Sequence, residues 1–220
     1  MTDYRLAARK ALGIVIVLLY MNSLFIIFAP EVFGSITTLV PILLLSIAVS
    51  VDIAIRPIST KSDQSNRTLT AIAFLLLPLI VALPHFEYLH FGNAYLSDVK
   101  HLMSFAGIMI LLLGSIILLT SRVQIGQFGG PRITIEDDHR LVTTGMYRYI
   151  RNPQYLGFLL LLFGYAFSLG SILVAFLIMI GLFAVFRSRI KLEEELLLCA
   201  FGEEYRYYME RTWRLIPRVY

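Results

Sequence analysis

The chain has 220 residues, of which 58% are hydrophobic and 15% charged, with a formal net charge of +4; a soluble domain carries roughly 25% charged residues. That composition, with a mean hydropathy of +0.76, excludes a soluble globular enzyme and a disordered chain. The single cysteine excludes a disulfide scaffold. A membrane protein remains, and long apolar runs make it all-α and polytopic, because a helix satisfies its own backbone in lipid.

Crossing a hydrocarbon layer of ~30 Å takes roughly 20 apolar residues. In chain order the runs of suitable length are Ala11 to Ala29, Val32 to about Ile55 with Asp52 near its end, Leu69 to about Leu83, and Leu102 to Thr120. The first follows a basic flank, as in a signal peptide, but it is too long and Phe28-Ala29-Pro30 offers no small-x-small cleavage site, so it is expected to stay as the first helix. A fifth stretch, Tyr155 to Phe186, is too long for one crossing and is interrupted by Ser168-Leu169-Gly170-Ser171. Read as two helices and a tight turn, it brings the total to about six transmembrane helices, with a C-terminal helical hairpin and a cytoplasmic amphipathic tail. This topology puts 18 of the 19 Lys and Arg residues on one side, with only Lys100 opposite. Basic residues accumulate in cytoplasmic loops, so both termini are expected there. The positive charge then reflects topology and lipid headgroups rather than a nucleic-acid partner.

Charge is concentrated in segment 121–153 and tail 187–220, which flank the hairpin, so any site is expected where its two ends meet. Residues 1–120 form an N-terminal four-helix region and 121–220 the region with the chemistry. At the start of the hairpin stands Gly145-Met146-Tyr147-Arg148-Tyr149-Ile150-Arg151-Asn152-Pro153-Gln154-Tyr155-Leu156-Gly157. Asn152-Pro153 reads first as an N-cap and first helical residue, although a helix N-terminus also suits an anion. Gly157 and Gly164, seven apart, predict close approach of a neighbouring helix. At the end stand Arg189, Glu193, Glu194 and Glu195. Arg189 and Glu193 share a helix face, which spacing alone explains as a solvated i,i+4 pair.

Other features carry less. His85, His90, His101 and His139 have no zinc-site spacing, and Cys199 has no partner. Gly126-Gln127-Phe128-Gly129-Gly130-Pro131 follows a membrane helix and matches neither a dinucleotide fingerprint nor a P-loop. Asp52 and Arg56, four apart, read as a neutralised interfacial pair. No metal and no nucleic acid is expected.

Gly145-Met-Tyr147, Arg151-Asn152-Pro153-Gln-Tyr155-Leu-Gly157, Glu193-Glu194, Phe201-Gly202-Glu-Glu-Tyr205 and Arg214-Leu-Ile-Pro217, in that order around a hairpin, resemble the isoprenylcysteine carboxyl methyltransferase family, grouped with phospholipid methyltransferases. The resemblance covers about residues 121 to 218. It implies a multi-pass membrane enzyme using S-adenosylmethionine in a cytosol-facing pocket closed by the tail, with a lipophilic or lipid-modified substrate entering from the bilayer. Residue by residue, it implies cofactor binding by His139, Leu141, Val142, Tyr147, Asn152, Pro153, Tyr155 and Glu193, and catalytic roles for Arg189, which meets the substrate's reacting group, and Glu194. Many members have His at the position of Asn152, and Asn cannot take an imidazole's charge. The acceptor is expected to be a carboxylate, such as a prenylcysteine or another small hydrophobic acid. The membrane is the inner membrane in a prokaryote or the endoplasmic reticulum in a eukaryote.

Three other readings are compatible with the sequence. Sterol-type membrane reductases that use NADPH have a related C-terminal half, but the Glu193-Glu194 pair and Phe-Gly-Glu-Glu-Tyr suit methyltransferases better. The others are a phospholipid amine methyltransferase and a non-enzymatic lipid-binding protein.

Overall fold

The computed structural model describes residues 2–28, 33–55, 67–95, 99–126 and 140–218. Among them lie eight α-helices: α1 (Thr2–Met21), α2 (Ser23–Phe28), α3 (Ile36–Ile55), α4 (Arg67–Tyr95), α5 (Lys100–Ile125), α6 (Pro153–Ser168), α7 (Ile172–Phe201) and α8 (Glu203–Arg211). The expected all-α membrane architecture is present. By length and composition α3, α5 and α7 can each cross a bilayer; the apolar helices at 75–90 and 153–168 are shorter. At 1.5 Å per residue α6 reaches about 24 Å.

The predicted break in the fifth apolar stretch is a tight turn at Leu169 and Gly170, where Gly170 takes φ 74° and its N–H donates to Phe167 O over 2.9 Å. The far boundary differs from the apolar pattern. Hydrophobicity ends at Phe186, yet α7 continues to Phe201 and stops only at Gly202, with φ 53°. Nothing in the charged run breaks a helix, and Arg189–Glu193 and Lys191–Glu195 are both i,i+4 pairs that support one. The hairpin's second helix is therefore also the arm that carries the charged residues.

Packing centres on α5 against α6, the most extensive helix pair. Glycines spaced by seven on each helix, Gly107 and Gly114 on α5 and Gly157 and Gly164 on α6, face backbone across the seam. A Cβ at Gly164 would lie 2.3 Å from Leu111 N, and one at Gly157 2.6 Å from Leu118 N. Only glycine admits that approach, as the spacing of Gly157 and Gly164 predicted.

On the side of the Leu169–Gly170 turn, α4 clamps the hairpin. Ser171 Oγ donates to Pro84 O; Glu87 accepts from Leu173 N at 3.1 Å and Val174 N at 2.8 Å. A carboxylate thus caps the α7 N-terminus, where it satisfies N–H groups lacking intrahelical partners and complements the helix dipole. Tyr165, fully buried, donates to Val81 O over 2.9 Å and lies 3.1 Å from His85 Nδ1. At the opposite end Asp52 of α3 meets Arg122 of α5 at 2.9 Å, both buried. Arg56, the partner that spacing alone gives Asp52, lies outside the described residues. A partner 70 residues distant leaves no local spacing to find.

Candidate active site

Three polar clusters gather at the charged end of the α6–α7 hairpin. The first surrounds a 3-10 turn, Gly145–Arg148. Gly145 has φ 62° and abuts the Gln124 side chain, whose Oε1 accepts the Met146 N–H at 2.9 Å. The left-handed backbone favours glycine there, and a Cβ would also push on the end of the Gln124 side chain. Tyr147, buried by this turn, directs its hydroxyl toward Ser121 O at 3.4 Å and accepts from Gln154 Nε2 at 3.1 Å. Tyr208 of α8 donates to Tyr147 O over 2.6 Å. Burial raises both phenols well above their ordinary range, so they remain protonated donors at neutral pH.

The second cluster joins the hairpin's helices. Tyr155 donates to Glu193 Oε1 over 2.5 Å, and Arg189 Nε donates to the same oxygen over 3.0 Å. Arg189 and Glu193 keep 21% and 23% of their side-chain exposure, enough to meet a ligand. The Tyr155 ring packs on Phe186, with centroids 4.8 Å apart.

The third cluster fastens the tail. Glu194, buried, lies 2.9 Å from Arg151 Nε and 2.7 Å from Arg214 Nη2. Arg151 Nη1 also donates to Met209 O at 2.9 Å and to Thr212 O. A short parallel pairing of Ile150 with Trp213 runs alongside, with Arg151 N–Trp213 O at 2.8 Å and Trp213 N–Tyr149 O at 2.9 Å. The tail beyond α8 is thereby held against the start of the hairpin.

Tyr147, Tyr155, Arg189 and Glu193 therefore converge on one end of the hairpin, with Leu141 and Val142 half-buried in the segment before the turn. His139 lies outside the described residues. Asn152 and Pro153 occupy the N-cap and first turn of α6, but the Asn152 side chain makes no cap bond; its Nδ2 donates to Arg214 O at 2.9 Å. The expected capping role is thus replaced by a bond to the tail. Glu194, although adjacent in sequence to Glu193, belongs to the tail cluster. Arg151, Arg214, Gln154 and Tyr208 had received no individual role from sequence. Arg151 and Glu194 are 43 residues apart, and no periodicity links positions so distant.

Residues 102–204 match the family model described as phospholipid methyltransferase. The chain is 31% identical over 162 residues to a probable protein-S-isoprenylcysteine O-methyltransferase of Oryza sativa subsp. japonica, covering 71% of this chain and 85% of that one. It is 33% identical over 111 residues to the Schizosaccharomyces pombe protein-S-isoprenylcysteine O-methyltransferase, covering 50% of this chain and 47% of the relative, so it spans about half the length of that protein. Its fold is similar to the solved eukaryotic intramembrane Ras methyltransferase, isoprenylcysteine carboxyl methyltransferase, with a TM-score of 0.64 at 22% identity, over 96% of this chain and 75% of the other. An all-helical membrane fold, a hairpin with its polar cluster at one end, and a relative covered over most of its length agree: the chain belongs to the protein-S-isoprenylcysteine O-methyltransferase family of integral-membrane methyltransferases.

Proposed function

We propose that this protein transfers a methyl group from S-adenosylmethionine to the carboxylate of a lipophilic substrate of the prenylcysteine type, giving a methyl ester. The observation that carries the reading is the Tyr155–Glu193–Arg189 cluster, a carboxylate and a guanidinium that keep about a fifth of their exposure and are held by one tyrosine at the hairpin's end. The cofactor fits this donor set. Both bonds to Glu193 go to Oε1, so Oε2 is the acceptor that a ribose hydroxyl or ammonium group would meet. Tyr147, Asn152, Pro153 and Tyr155 would form the pocket wall with Leu141, Val142 and His139.

When bound, S-adenosylmethionine supplies an electrophilic methyl group on a sulfonium. A carboxylate nucleophile needs no general base, so the protein's work is alignment and exclusion of water. Arg189 would orient that carboxylate, because a guanidinium offers five N–H donors in a planar fork and carboxylates bind it through two of them. Glu194 acts through the tail: bridging Arg151 and Arg214, it keeps residues 212–214 closed over the start of the hairpin. We assign it as a positioning residue. Residues 121–220 would hold cofactor and reacting group, and residues 1–120 the lipid chain. The charged end of α7 would face the cytoplasm with both termini.

Calorimetry of the detergent-purified protein tests the cofactor assignment. S-adenosylhomocysteine should bind with a stoichiometry near one and NADPH should not; the reverse result would remove the assignment. A second acceptor class, a phospholipid amine, is favoured by the match of residues 102–204 to phospholipid methyltransferases, and it would yield an N-methyl product.

A further inference from the structure

On the flank of α7 away from the Arg189–Glu193 pair, a groove of about 460 Å³ is lined by Arg187, Ser188, Lys191 and Arg214. Residues two apart on an α-helix point about 200° apart, so Arg187 and Lys191 sit opposite Arg189 and Glu193. The groove is not another view of the cluster assigned to catalysis. We infer that it binds the phosphate headgroup of an anionic phospholipid from the surrounding leaflet.

Two observations meet there. Three cations, one of them 3.9 Å from Glu195, line one space beside Ser188, whose hydroxyl donates to Ala184 O at 3.3 Å; the guanidinium and ammonium donors suit a phosphate by charge and by hydrogen bonding. Directly along the helix, Leu173, Leu177 and Ile180 are 65%, 59% and 66% exposed. With Ala184 they continue through Arg187 to Lys191 at steps of three and four, one uninterrupted stripe on one helix face. Acyl chains lie against the apolar part of that stripe, and the headgroup meets the cations where the apolar sequence ends at Phe186. A free phosphate ion would use the cations but gain nothing from the stripe. Arg214 also holds Glu194 at 2.7 Å, so the groove shares this residue with the tail clamp.

Native mass spectrometry of the full chain in uncharged detergent, titrated with dioleoyl-phosphatidylglycerol or dioleoyl-phosphatidylcholine, tests this. The wild-type protein should retain phosphatidylglycerol in preference. The Arg187→Gln/Lys191→Gln variant, altered only at exposed side chains, should lose roughly tenfold or more of that affinity, since each basic residue near a charged lipid surface contributes roughly fivefold. Lys100→Gln, at the other end of the molecule, should change nothing, and an unchanged melting temperature of the double variant would show that it is folded. Millimolar inorganic phosphate should leave the lipid adduct in place. Equal retention of the two lipids, a double variant that keeps the preference, or displacement of the lipid by phosphate would each overturn the proposal.

Discussion

Glu193 and Glu194 are neighbours in sequence with different surroundings. About 100° of helix rotation separates them, which turns Glu193 toward Tyr155 and Arg189 and Glu194 into the buried pairing with Arg151 and Arg214. The account therefore predicts different failures. Glu193→Gln should weaken S-adenosylhomocysteine binding in calorimetry by roughly ten- to a hundredfold, as loss of a charged hydrogen-bond partner worth about 1.5–3 kcal/mol requires. Arg189→Ala should leave that binding nearly intact and lower kcat about a hundredfold, the scale of misaligned reactants. Glu194→Ala leaves two arginines without their carboxylate, one of them buried, and should cost about 3 kcal/mol in unfolding experiments, with donor affinity falling as a consequence of the loosened tail. If Glu194→Ala left stability unchanged and reduced only kcat, its assignment as a positioning residue would be wrong.

At the scale of elements, the seam between α5 and α6 depends on glycine backbone lying against backbone. Gly164→Ala should cost about 1–3 kcal/mol by overpacking, visible as a lower melting temperature. Gly181→Ala, where a Cβ would meet nothing within 4 Å, is the matched control and should be neutral or slightly stabilising. These positions also mark what could be read in advance. Seven-residue glycine spacing, the Ser168–Ser171 break and the apolar runs are local patterns, so the hairpin and its close packing were legible in the sequence. The cap that Glu87 places on α7, the Asp52–Arg122 pair and the Arg151–Glu194–Arg214 clamp join positions remote in sequence, which no local spacing reveals. Of the candidate site, the motif residues were legible by resemblance and the i,i+4 pair by periodicity. The division of the two glutamates between separate clusters was not, because it depends on which helix faces the tail.

For the whole molecule, an apolar body carries a small polar site at one end of one hairpin. In the proposed reading, lipid-facing surface and substrate chain share a single hydrophobic environment while the reacting group would reach Arg189 at the boundary. Such a design should discriminate acceptors by lipid chain: removing the isoprenoid from a cysteine acceptor ought to raise KM far more than it lowers kcat, because a chain lying in an apolar environment is bound equally in the ground and transition states. The most direct measurement supplies the reconstituted protein with S-adenosylmethionine labelled in its methyl group and with N-acetyl-S-farnesylcysteine, then treats the lipid product with alkali. A methyl ester releases its label as volatile methanol, and release that depends on Arg189 is the predicted result. Label that survives alkali, as on a methylated amine, or no transfer at all would contradict the account.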